Sequence, residues 1–455
     1  MPLPTTFAGV STRGAGQFGP PPFSIGAPYW AEISSSTANT NLSDNYSVWG
    51  SYVDKLGNVY QLVVDSSASG RVAVQKFNLS GTLLFTTDYL YGFTIPVGIN
   101  NLTVDSSGNI YITGVSPGLP GGGIIVKLNS SGTFQWSNTR VATGIGRAYF
   151  NSPFIDSSGN IWVAGTLYDN GGTGYRYASF YKYNSSGTLL NTYSFNNASS
   201  SFYCNAQTKD NSGNIIGVGN NSLNPTIISF SSSTGTRNWS QTLNLSNAST
   251  FTSVVTDSSN NIYVAGVNSN GPTSQAIIVK YNSSGTVQWQ YNTGIACATP
   301  DTPTLIIDSL GNIILGARDN VSNYTYLVKV SSSGTVVWVD RFYLYSLTTP
   351  QPWTVNTMFN DVSNNIYVGG TYQDSNGGSI PNGGYLLKLL GNGSKTGSYT
   401  VGNTSLVISS SSVTLTSSSY TTTSFTPGTA SDNTTNDTTK ISVASSTTYN
   451  ANKVL

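Results

Sequence analysis

Seven aspartates recur in one local setting, D-x-x-[GN]-N-[IV], at Asp54, Asp105, Asp156, Asp210, Asp257, Asp308 and Asp361. A calcium loop needs several oxygen ligands at alternate positions, as in D-x-D-x-D-G. The intervening residues here are Ser, Lys, Leu, Asn and Val. The pattern therefore predicts a turn whose Asp accepts hydrogen bonds from backbone N–H groups, with Gly or Asn at positive φ. No metal site is expected from it.

A second set is basic. Lys76, Lys127, Lys182, Lys280, Lys329 and Lys388 hold matching positions in the third apolar run of their copies, with Ser229 in the fourth copy. Such a ring could bind anions; stems laid along apolar surface, with each ammonium meeting a carboxylate or carbonyl, is the simpler expectation. Trp136, Trp239, Trp289 and Trp338 lie a few residues further on in each copy and read as packing residues.

Catalysis has little material. The chain has no histidine, which removes the usual general base, triad member and zinc ligand. Glu32 is the sole glutamate, and nothing pairs Asp169, Asp301, Asp319, Asp340 or Asp374 as a glycosidase would require. The reading is non-enzymatic, with no cofactor. Binding has better material: Tyr89, Tyr91, Arg147, Tyr149, Tyr168, Tyr175, Arg176, Arg341, Tyr343, Tyr345 and Trp353 fall in the longer connectors between copies. Tyr, Trp and Arg are enriched at binding hot spots, and several could equally cap the ends of the structure.

The elements that would carry these residues follow from the period. The aspartates are spaced by 51, 51, 54, 47, 51 and 53 residues, the mark of a repeat array or propeller. Each copy reads as four strands, as in Thr304–Asp308 for strand a, Asn261–Gly266 for b, Ala276–Asn282 for c and Thr286–Trp289 for d. Strands b and c are apolar on both faces, which suits sheets stacked between neighbours. Four-stranded units around an axis make a β-propeller, and seven units make seven blades. The a–b and c–d turns share one face, and the longer b–c and d–a connectors share the other.

The seventh copy has strand c (Tyr385–Leu389) but no following SGTxxW, whereas Trp30 precedes Asp54 with no strand c before it. Residues Tyr29–Ile33 are therefore expected to supply the outer strand of the last blade and close the ring. The expected organisation is an extended N-terminal docking arm at 1–27, the propeller at 28–402, and a Ser/Thr-rich C-terminal β-appendage at 403–455. The alternation at Leu406, Ile408, Val413 and Leu415 suggests strands there, either an appendage or strands that pair with another subunit.

The repeats resemble the seven-bladed β-propeller repeat family of many bacterial surface proteins, whose units carry D-x-x-G-N-x-Y-V-x-G followed by V-K-(apolar)-x-x-x-G. That resemblance covers about Trp30–Thr400 and implies the fold rather than a function. The opening MPLPTTFAGVSTRGAGQFG and the Ser/Thr/Asn-rich, charge-poor style resemble virion structural proteins of tailed, particularly marine, bacteriophages. STGTRNW at Trp239 resembles the tryptophan-docking repeat of quinone-dependent dehydrogenases in one copy only, so no quinone is expected.

Composition bounds the partners. Charged residues are 8% and the net charge is +1, so no field gathers nucleic acid. No run could span a bilayer, and the opening residues lack an apolar stretch of secretory length. Cys204 and Cys297 sit in different copies and read as buried thiols. The expectation is a phage tail or capsid-attached component, part of an oligomeric assembly. It would contact other virion subunits through 1–27 and 403–455 and present its looped face to a host glycan or receptor. The alternative is a bacterial surface or secreted propeller binding glycans or adhesion partners.

Overall fold

The computed structural model describes residues 23–24, 30–34, 46–65, 71–78, 82–87, 101–116, 122–142, 148–168, 176–196, 201–245, 249–269, 273–297, 302–346, 349–351, 353–372, 383–394, 396–401, 404–426, 428–429 and 434–437. They form an all-β, seven-bladed propeller.

The local cause of each blade is the aspartate turn. In blade 5, Asp257 Oδ1 accepts the backbone N–H groups of Ser259 and Asn261 at 2.9 and 2.8 Å. Its Oδ2 accepts Asn261 Nδ2 at 2.7 Å and the Tyr263 hydroxyl at 3.1 Å. Asn260 takes the left-handed conformation at φ 64°, as the glycine does in most other copies. The same bonds recur at Asp54, Asp105 and Asp361. Each carboxylate is thus consumed by its own turn, and each turn joins strand a to strand b. The motif is a structural staple.

Strands a to d of blade 5 are Thr250–Thr256, Ile262–Asn268, Gln275–Tyr281 and Val287–Ala296, hydrogen-bonded in that order. Strand a carries a bulge between Phe251 and Ser253, which brings the Thr250 carbonyl over strand b at Gly266; a Cβ there would overlap that oxygen. This is why the motif ends in glycine. Strand b is buried along its whole length, because it faces a neighbouring blade on each side. Accordingly the core is divided: one apolar cluster fills each junction between consecutive blades, including that between blades 7 and 1.

Polar bonds add direction to that packing. Lys280 and Trp289 of blade 5 both donate to the carbonyl of Ser332 in the c–d turn of blade 6, at 2.8 and 3.3 Å. Lys127 and Trp136 grip Ser185 likewise, and Lys329 and Trp338 grip Gly391. The lysine stems lie over the ring that ends the turn, with Lys280 Nζ 5.2 Å from the Tyr263 centroid. Blade 4, with Ser229, keeps only the tryptophan bond, Trp239 to Ser283 at 2.9 Å. Lys127, Lys280 and Lys329 are therefore joints between blades, while Lys182 and Lys329 also meet the turn carboxylates of Asp156 and Asp308 at 3.7 and 2.7 Å. Around the axis, the residue five before the turn aspartate performs a similar task. Asn151 donates to Cys204 O, Asn205 to Phe251 O, Thr252 to Pro303 O and Asn356 to Val48 O.

The ring closes as the tryptophan spacing implies. Trp30–Ser34 pairs with Gly383–Leu389 as the fourth strand of blade 7, with Trp30 opposite Lys388. Trp289 and Trp338 stand opposite Lys280 and Lys329 in the same register. Phe23–Ser24 adds a fifth strand. The rest of the expected docking arm lies outside the described residues.

The C-terminal segment forms short β-strands, and those described pair with the blades. After the hairpin of Gly397–Val401 and Thr404–Ser410, whose turn falls where the propeller was expected to end, the chain runs backwards around the rim as a belt. It pairs antiparallel with strand d of blade 6 (through 404–410), blade 5 (416–417), blade 4 (422–424), blade 3 (428–429) and blade 2 (434–437). The position two residues past the strand-d tryptophan meets Ser410 in blade 6, Ser417 in blade 5 and Ser424 in blade 4, a step of seven residues per blade. The belt's few apolar residues enter the junctions one or two at a time. Val413 and Leu415 enter the blade 5–6 junction, Tyr420 the 4–5 junction and Phe425 the 3–4 junction. The Tyr420 hydroxyl accepts from Asn268 and Asn292 at 2.9 and 3.0 Å. One edge of this segment is thereby used within the chain.

Both cysteines are buried and neither forms a disulfide, Cys204 lying within strand a of blade 4. Burial pushes its thiol up to about 12.

One carboxylate breaks the pattern. Asp340 occupies the position at which Asn138 donates to Gly187 O at 2.6 Å, and it is only 5% exposed. Burial raises its pKa from 3.8 to about 6. A folded-state value above the unfolded one means that the contribution of this residue is favourable below about pH 4 and is lost as the pH rises through about 6. Asp340→Asn is therefore expected to raise the melting temperature at pH 7.5 and to have little effect at pH 4; equal shifts at both would contradict this.

Candidate ligand-binding face

The longer connectors leave the blades on the face opposite the aspartate turns, and there the structure gathers two arginine–tyrosine stacks. The first spans blades 3 and 4. Tyr168 ends strand b (Ile161–Tyr168) and Arg176 opens strand c (Arg176–Tyr183), directly opposite it in the register. The Arg176 guanidinium lies 4.2 Å from the Tyr168 ring centroid and 4.5 Å from that of Tyr203, in strand a of blade 4. Tyr149 extends the stack, its centroid 5.4 Å from Tyr168. All four side chains are partly exposed.

The second stack belongs to blade 6. The Arg341 guanidinium sits 4.4 Å from the Tyr324 centroid, and Tyr343 meets Tyr324 edge-on at 5.0 Å. Arg341 Nε also donates to Ser409 Oγ of the belt at 3.2 Å. Arg341, Tyr343 and Tyr345 lie within strand d (Val336–Ser346) rather than in a connector, because pairing with 405–410 lengthens that strand.

Of the residues named from sequence, Tyr149, Tyr168 and Arg176 converge, and Arg341 and Tyr343 converge elsewhere. Tyr89, Tyr91, Arg147 and Tyr175 lie outside the described residues, as does the side chain of Tyr345. Trp353 requires correction as a binding residue. It is 1% exposed, with its ring 4.2 Å from Tyr385 and 5.8 Å from Phe342 in the blade 6–7 core. Sequence reasoning missed Tyr203, Tyr324 and Tyr326. The Tyr-x-Tyr alternation at 324–326 was available as a signal. Tyr203 could not be found that way, because its partner belongs to the preceding repeat.

On the axis, strands a enclose a cavity of about 160 Å³ lined by Ser152, Gln207, Thr252, Ser253, Asn356 and Met358 among others, with no ionisable side chain. Gln207 Oε1 is buried there without a partner. Among the described side chains, the carboxylates hold turns or, at Asp340, lie within strand d, and no three potential metal ligands gather.

No known family profile matches the chain, and no curated protein matches it. Solved structures do. An ulvan lyase from a new family of polysaccharide lyases is 12% identical over 78% of this chain and 96% of its own, with a TM-score of 0.49. The Dos1 propeller is 11% identical over 80% and 90%, with a TM-score of 0.46. A protein of unknown function from Bacteroides caccae is 13% identical over 65% and 93%, with a TM-score of 0.38. The likeness is one of architecture.

Trp353→Ala is expected to cost on the order of 3–5 kcal/mol of stability, as for a core aromatic. Denaturant unfolding checks it; unchanged stability would return Trp353 to the surface.

Proposed function

We propose that the protein is a non-enzymatic structural component that carries a recognition face, in the setting of a tailed-phage particle. The belted propeller serves as a rigid platform, and its looped face meets a glycan-bearing host surface. One observation supports this reading above others: the described carboxylates are committed to turns or buried within a blade, while the looped face offers arginine–tyrosine stacks. Acid–base chemistry needs a positioned, titratable group near a substrate, and the axial cavity is lined by none. Stacked aromatic and arginine side chains suit binding instead. The phage setting rests on the style of the sequence. The arm at 1–27 and the outer edge of the belt are the surfaces through which neighbouring subunits would dock.

The stacks equally suit a bacterial surface or secreted propeller that binds glycans. Mass spectrometry of purified particles, together with a glycan array on the isolated full chain, tests the proposal. Presence in particles at stoichiometric copy number with a glycan signal is the expected result. A glycan signal with absence from every particle would favour the bacterial setting. Turnover of a bound polysaccharide would contradict the non-enzymatic reading.

A further inference from the structure

We propose that Arg176 anchors a sugar carboxylate, so that the glycan taken by the looped face is a uronic-acid-type acidic glycan. This rests on the glycan-binding reading of that face.

Arg176 is held differently from other arginines of the ring. Arg237 donates through Nη1 to Ser240 Oγ and the Phe425 carbonyl, Arg318 through Nη2 to Asn323, and Arg341 through Nε to the belt. Among the described residues, the Arg176 side chain is held by rings alone. Tyr168 and Tyr203 stack on it at 4.2 and 4.5 Å, and among the described residues only its backbone N–H makes a hydrogen bond, to Ser201 Oγ. A guanidinium that packs on rings uses its faces and keeps the N–H donors of its edges for hydrogen bonds. The result is a fork whose orientation is fixed before any ligand arrives, so little side-chain freedom remains to be lost on binding.

The geometry also selects among anions. A planar carboxylate takes two parallel N–H bonds from one guanidinium edge. One guanidinium balances the single charge of a carboxylate but only half that of a phosphate dianion, and no second cation joins this stack among the described residues. Tyr149, Tyr168 and Tyr203 are partly exposed around the arginine, and aromatic rings suit contact with the C–H groups of a pyranose ring. A purely structural role, in which the arginine stem merely fills the space between two tyrosines, would be served by methionine at the same position.

The test is calorimetric titration of the full chain with tetragalacturonate, with its carboxyl-reduced derivative and with a sulfated neutral galactan oligosaccharide. The variants are Arg176→Met, Arg176→Lys and, as a control on the opposite face, Lys55→Met in the exposed first aspartate turn, each checked for an unchanged melting temperature. Tetragalacturonate is expected to bind, and Arg176→Met and Arg176→Lys to weaken it by about ten- to a hundredfold, the range for losing a charge-assisted hydrogen bond. The reduced sugar is expected to bind far more weakly, and Lys55→Met to change little. Equal binding of the acidic and reduced sugars, or full affinity in Arg176→Met, would overturn the carboxylate anchor while leaving a glycan-binding face intact. Preference for the sulfated sugar would overturn the carboxylate in favour of a sulfate. Binding of none of the three would overturn the anchor, and a glycan array silent for every other sugar as well would remove the reading of the face beneath it.

Discussion

A blade of this protein buries both faces of its central strands, so no blade is stable without a neighbour on each side. Strand b of blade 5 makes the constraint plain: every residue from Ile262 to Asn268 is buried. An open seam would expose two such faces at once, several buried apolar side chains on each, at roughly 25 cal/mol for every Å² of apolar surface. Ring closure is thus the condition on which the remaining features depend. The chain meets it three times. Trp30–Ser34 completes blade 7, polar side chains join strands a around the axis, and the belt binds the rim.

The belt explains the unusual composition of the C-terminal segment. A segment that folded on its own would need apolar residues that meet one another. Here each meets the ring, one or two at a junction, while the Ser and Thr between them pass over solvent-facing strand edges. Covering those edges also addresses the hazard of exposed strand ends, which otherwise pair with other chains. Few charges are then needed to keep neighbouring molecules apart, which fits a chain with 8% charged residues.

The legibility of the structure followed the range of the interactions. The aspartate turn is complete within seven residues, from Asp257 to Tyr263, so its seven copies announced the blades. The N-terminal closure was legible because the missing tryptophan of the last copy reappears at Trp30. The belt was not legible. Its strand-d partners lie from 60 residues away, at Tyr345–Ser405, to far greater separations, and its period of seven is carried by serines rather than apolar residues. The site divided in the same way. Tyr168 and Arg176 flank one connector and were found together, whereas Tyr203 joins them only once two repeats are side by side. Trp353 misled because its residue type suits a surface anchor as well as a core, and only burial separates the two.

The direct measurement is hydrogen–deuterium exchange of the full chain, read on the amides of residues 404–424 over a range of protein concentrations. A belt held by its own ring predicts protection of these amides comparable to that of the strand-d residues they pair with, independent of concentration. Exchange at the rate of a free peptide, or protection that appears only as molecules associate, would contradict it.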